Sequence, residues 1–94
     1  MSDPRTARFI EWDEHNEEKL AHHGISTVEV EQLWSNRPVV LPNKRGRSGD
    51  YKLVGRTDGG RSLTVIIKHY PSRQAIRPIT GWDSPKSDVT RYRR

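Results

Sequence analysis

The pattern of apolar and polar positions changes its period twice along the chain. Between Arg8 and Trp12 polar and apolar residues alternate, which is the period of a short strand. Asp13 then offers an N-cap oxygen and Gly24 a left-handed stop, so a polar helix is expected between them. Glu14, Glu17 and Glu18 fall in its first turns and His22 and His23 in its last, the order that the helix dipole favours. Ser26-Thr27-Val28-Glu29 has the spacing of a capping box, with Ile25 and Val30 placed as a hydrophobic staple. The second helix that starts there carries Val30, Leu33 and Trp34 on one face and ends before Pro38.

From Pro38 onward the period is that of strands: Val39 to Leu41, Tyr51 to Thr57, Ser62 to His69 and Ala75 to Trp82. Asp58-Gly59-Gly60 supplies the backbone freedom of a tight hairpin, so the second and third of these strands should pair antiparallel. In the third strand Leu63, Val65 and Ile67 share one face, assigned to the core, and Thr64, Ile66 and Lys68 share the other. Lys52, Val54 and Arg56 also share a face, and whether Ile66 and Lys68 join it depends on register. Residues 43–49 form a basic loop, Pro71-Ser72-Arg73 a turn, and Ser84-Pro85 the opening of a short C-terminal helix. The expected architecture is an α+β domain over residues 1–94: two N-terminal helices, an antiparallel sheet of about four strands, and the short helix.

Charge sharpens this picture. The 94 residues carry a net charge of +5, but residues 1–34 hold 3 basic and 8 acidic side chains, and the rest hold 14 basic and 4 acidic. Positive charge concentrated on strands attracts polyanions, and among these a nucleic acid is the commonest partner. A membrane surface fits less well, because the cations do not lie along one amphipathic helix. The absence of cysteine excludes disulfides, thiolate metal sites and a cysteine nucleophile, and accords with a cytoplasmic location. The polar start and a longest apolar run of Val65-Ile66-Ile67 give no sign of a signal peptide or membrane span.

Candidate chemistry narrows by elimination. His15, Glu18 and His22 can share a helix face, but their spacing is not His-Glu-x-x-His, so no metal cofactor is expected. The glycines around residues 46–49 and 55–60 have neither Walker nor dinucleotide spacing and no following helix, which argues against a nucleotide cofactor. No serine sits on a strand-to-helix elbow. Cations on strands remain: Lys52, Arg56, Lys68 and Arg77, with Arg61 and Arg73 beside them. Metal-free RNA cleavage needs a base for the ribose 2′ hydroxyl, an acid for the leaving oxygen, and cations for the charge growing at phosphorus. Arginine and lysine meet the last need, and His23, His69, Tyr70, Tyr92 or Lys68 could move protons.

The order of motifs resembles the BrnT toxin family, small bacterial ribonucleases of type II toxin–antitoxin systems with a RelE-like fold. The matching residues are Trp12-Asp13, His23-Gly24-Ile25-Ser26, the hairpin from Gly55 to Arg61, the apolar strand Leu63 to Ile67, Ile76-Arg77 and Tyr92. This resemblance spans residues 9–92 and implies an endoribonuclease that blocks translation and is neutralised by a cognate DNA-binding antitoxin. His23, Arg56, Lys68 and Arg77 become the catalytic candidates, with Arg56 and Arg77 on the scissile phosphate and His23 and Lys68 moving protons. Lys52, Arg61, Arg73, Trp82 and Tyr92 become candidates for RNA contact. Where many relatives close the last strand with an alanine-arginine pair, this chain has Gly81-Trp82, and Pro78 inside that strand marks an edge or a bulge. Those departures keep a second reading open, a non-catalytic RNA-binding or partner-binding module on the same scaffold.

The capping box carries a direct test. Ser26→Ala should cost about 1 kcal/mol of stability, measured by chemical denaturation, because one amide at the helix start loses its acceptor.

Overall fold

The computed structural model describes residues 3–43, 49–86 and 89. A 3-10 turn, Pro4–Thr6, leads into strand β1, Phe9–Ile10, followed by helices α1, Glu14–Ala21, and α2, Thr27–Ser35. Strands β2 (Val39–Pro42), β3 (Tyr51–Arg56), β4 (Ser62–Tyr70) and β5 (Ala75–Asp83) complete a five-stranded sheet in the order β1-β5-β4-β3-β2. Among the described residues no helix is long and apolar enough to cross a membrane.

Both helix starts form as their sequences dictate. In each, the cap side chain accepts from the backbone of the third helical residue, and that residue's side chain returns to the cap amide: Asp13 with Asn16, and Ser26 with Glu29. Gly24 ends the first helical segment at φ 70°, a left-handed conformation that a Cβ would strain, and the Ile25 amide returns to the Leu20 carbonyl. In the β3–β4 hairpin only Gly60 takes a positive φ, 87°, and Thr57 closes the loop through backbone bonds to Gly60 and Arg61.

The α+β class stands, but the sheet departs from the expected four antiparallel strands in two ways. It has a fifth strand, β1, and that strand runs parallel to β5, pairing Phe9 with Ala75 and Ile10 with Ile76. Two residues carry too little alternation to announce a pairing partner far along the chain. The expected C-terminal helix is entered at Lys86 and Val89, where the Val89 amide donates to the Pro85 carbonyl. Tyr92, the basic end of the chain and residues 44–48 of the basic loop lie outside the described residues.

α1 and α2 cover one face of the sheet. Leu20, Ile25, Val30 and Leu33 close a core with Leu53 of β3, Leu63, Val65 and Ile67 of β4 and Ile76 of β5, all buried. Two glycines allow the close approach. A Cβ at Gly55 would stand 2.8 Å from Leu33 Cδ1, and one at Gly81 would stand 2.9 Å from the Thr64 carbonyl oxygen and 3.2 Å from Leu20. The part of the Gly81-Trp82 pair that faces the helices is therefore a packing requirement of α1.

Pro78 sits at a bulge. The β4–β5 register shifts between Ile66, which faces Thr80, and Ile67, which faces Pro78, leaving Ile79 as the extra residue. β1 stops short of this point, so the missing proline N–H leaves no broken ladder. Asn16, 1% exposed, holds the bulge from the helix side. Its Nδ2 donates to the Pro78 and Glu11 carbonyls, both at 3.0 Å, and its Oδ1 accepts from the Asp13 amide. Asn16→Ala strands these buried partners, and a loss of about 2 kcal/mol is expected as a lower urea midpoint at unchanged m-value. A midpoint equal to that of the parent protein would contradict the role.

Candidate nucleic-acid interface

Register decides which cations share a surface. Lys52 faces Ile66, Val54 faces Thr64 and Arg56 faces Ser62, while Lys68 faces Arg77 and Thr64 faces Trp82. Lys52, Arg56, Lys68, Arg77 and Trp82 therefore all stand on the sheet face opposite the helices, and the question left open by the sequence is answered. The middle of this face is closed. Ile66 and Thr64 are buried, the first against Gly49 and the second hydrogen-bonded to Ser84 through their hydroxyls.

Two ends remain. At one end Lys68 and Arg77 are directly opposed across the β4–β5 ladder. At the other, Arg56 beside Ser62 lies diagonally across β4 from Trp82, which is 36% exposed. Lys68 lies six positions along β4 from Ser62, about 20 Å of strand. Arg56 and Arg77, assigned together to one scissile phosphate from the sequence, thus stand too far apart to share a single phosphate.

The acidic N-terminal third is the partner of part of the basic sheet. Arg73 makes a two-pronged contact with Glu11, at 2.8 and 2.9 Å, and stacks over the Tyr70 ring at 4.1 Å. Arg77 meets Asp13 at 2.6 Å with its side chain only 23% exposed. Arg61 spends its donors on three elements: Nε on Asp83, and Nη1 on Glu29 and the Gly24 carbonyl. By contrast, among the described residues the side chain of Lys68 meets no partner, and Arg56 Nε is buried without one.

These pairings leave their mark on the carboxyl groups. The Arg73 guanidinium holds Glu11 below the usual glutamate range, the Asn16 amide followed by Arg77 does the same for Asp13, and Arg61 for Asp83. Burial pushes Glu29 up, but the Ser26 amide and Arg61 together outweigh it and leave the carboxyl lowered. Asp83 in turn raises Arg61, and Glu11 raises Arg73.

The groups that could move protons are dispersed. His23 is exposed in the turn after α1, within the helix layer and on the other side of the sheet from Lys68. His69 faces Ile76, so it too stands on the helix side, edge-on to Tyr51, and Tyr70 lies under Arg73. His15, Glu18 and His22 line one outer stretch of α1, and among the described residues no three His, Asp or Glu side chains converge as a metal site would need. Sequence reasoning missed Asp13 and Asn16 as part of this surface. Their spacing, Asp-x-x-Asn at a helix start, announces a cap, but nothing in it announces Arg77 or Pro78.

The lowered carboxyl groups set a sign for pH. An unfolded chain holds protons on Glu11, Asp13, Glu29 and Asp83 at a pH where the folded chain does not. The stabilisation is therefore complete above the ordinary carboxylate range and lost as pH falls through the lowered folded values. Thermal melts should show a Tm that falls below about pH 4 to 5. A Tm that stays level or rises down to pH 3 would show that these pairs do not stabilise the fold.

No family model and no curated protein matches the sequence. Among solved structures, the ribonuclease toxin BrnT of Brucella abortus is similar to this chain at 26% identity and a TM-score of 0.60, covering 83% of this chain and 97% of its own. The likeness extends over most of both chains, and on that extent the chain is BrnT-like.

Proposed function

We propose that this protein is a metal-independent endoribonuclease toxin of a type II toxin–antitoxin system, acting in the cytoplasm, where it cleaves RNA and inhibits translation until a cognate DNA-binding antitoxin neutralises it. The observation that carries the reading is the likeness to the BrnT ribonuclease toxin over nearly all of that toxin's length. The opposed Lys68 and Arg77 support it chemically. Two cations facing each other across a ladder repel, and a phosphate between them relieves that repulsion.

In this reading Arg77 and Lys68 receive the scissile phosphate and stabilise the charge that builds on it when the 2′ hydroxyl attacks. Lys68 is the member of the pair able to pass a proton, with Tyr92 as a further candidate for acid or base, whereas His23 stands across the sheet from that pair. Arg56 holds a phosphate farther along the strand, and Trp82 offers a ring on which a base stacks. Lys52 adds to the positive field that draws RNA in, whereas Arg61 and Arg73 are largely balanced by their own carboxylates. An acidic antitoxin segment would find the same cations. The second reading, an RNA-binding or partner-binding module without catalysis, draws on Trp82 and on the scatter of proton-moving groups.

Incubation of folded, inhibitor-free protein with end-labelled RNA in excess EDTA separates the two. Discrete fragments are expected, lost by about 100-fold in Lys68→Ala and Arg77→Ala with RNA affinity changed far less. Arg56→Ala and Trp82→Ala should instead weaken binding, the latter by about 1–3 kcal/mol for one stacked base. Intact RNA throughout, with salt-sensitive binding that drops for each cation removed, would establish the module.

A further inference from the structure

We propose that Asp13 is a positioning residue: its carboxylate holds the Arg77 guanidinium beside Lys68 in the orientation that receives an RNA phosphate. The inference rests on the ribonuclease reading above and adds to it a residue that contacts no substrate.

Four observations meet at this carboxylate. Arg77 and Lys68 are cross-strand partners, so without a counter-charge the more flexible tips would swing apart. The closest approach of Asp13 to Arg77 is Oδ2 to Nη2, at 2.6 Å, and among the described residues no hydrogen bond occupies Arg77 Nε or Nη1. An ion pair at one side of the guanidinium holds that group near the carboxylate while leaving donors for a second anion. The carboxylate itself is immobile, because its other oxygen accepts from the Asn16 backbone at 2.9 Å as the N-cap of α1. Finally, the backbone on both sides is tied by one buried amide, since Asn16 binds the Asp13 N–H and the Pro78 carbonyl next to Arg77.

A carboxylate that merely competed with phosphate would take the guanidinium by two nitrogens, as Glu11 takes Arg73. Here one carboxylate oxygen is committed to the cap and the other lies nearest the guanidinium, with no two-pronged hydrogen bond between them. The arrangement is that of a support which orients a binding group and leaves its working edge clear.

The test exploits the cap. Asn and Asp cap helices about equally well, so Asp13→Asn removes the negative charge that faces Arg77 and keeps the helix start. We expect Asp13→Asn to lose at least tenfold in kcat/KM for RNA cleavage with Tm close to that of the parent protein. Asp13→Asn/Arg77→Ala should be no slower than Arg77→Ala alone. Full activity in folded Asp13→Asn, or losses that multiply in the double variant, would overturn the proposal.

A second measurement keeps it separate from the fate of the ribonuclease reading. In 15N-edited spectra of the full chain, titration with inorganic phosphate should shift the Arg77 Nε–Hε signal, with an affinity at least tenfold weaker in Asp13→Asn. If the parent protein cleaves no RNA but shows this difference, the ribonuclease reading fails and the positioning role stands. Equal or tighter phosphate binding by Asp13→Asn would make Asp13 a competitor and sink the proposal whatever the RNA assay shows.

Discussion

The docking of α1 on β5 is the constraint from which the rest of the molecule takes its arrangement. Its parts are a buried amide, Asn16, whose donors meet the Pro78 and Glu11 carbonyls, and a glycine, Gly81, that lets Leu20 lie against the sheet. Asn16 is costly to bury unless satisfied, and satisfaction demands the bulge carbonyl at one particular place. The same contact therefore sets the position of the helix, the register slip at Ile79 and the approach of Asp13 to Arg77. Without it α1 would be held to β5 mainly through the two-residue β1 and the Glu11–Arg73 and Asp13–Arg77 pairs.

That docking also explains what becomes of the charge asymmetry. Glu11, Asp13 and Glu29 from the acidic third reach Arg73, Arg77 and Arg61 respectively, so much of the apparent dipole is neutralised within the molecule. Exposed pairs of this kind stabilise only weakly one by one. Their larger effect is to sort the cations into those committed to the fold, such as Arg61, and those left facing outward, such as Lys68. The positive surface on offer to a polyanion is smaller and more localised than the net charge implies.

Much of the secondary structure was legible because its causes are local. The Ser26 and Asp13 caps, the Gly24 stop, the hairpin and the alternation of Leu63, Val65 and Ile67 each depend on residues a few positions apart, and each stands in the structure. The candidate site was legible only as an inventory. Lys68 and Arg77 were identifiable as cations on strands, but their opposition across a ladder, and the distance of Arg56 from them, are matters of register. His23 was read as a proton-moving candidate from its residue type, whereas the helix layer places it across the sheet from Lys68.

By itself the sequence determined the element types, the apolar face that becomes the core and the excess of positive charge on the strands, since propensity, capping and alternation act over a few bonds. Tertiary structure alone decided that β1 runs parallel to β5, that Pro78 lies at a bulge, and which acid meets which arginine. Those outcomes depend on contacts between residues far apart in the chain, such as Arg61 with Glu29, Asn16 with Pro78 and Asp13 with Arg77. No local preference encodes such a meeting. It follows from fitting one buried, hydrogen-bonded helix face onto a twisted sheet that has a single place able to satisfy it.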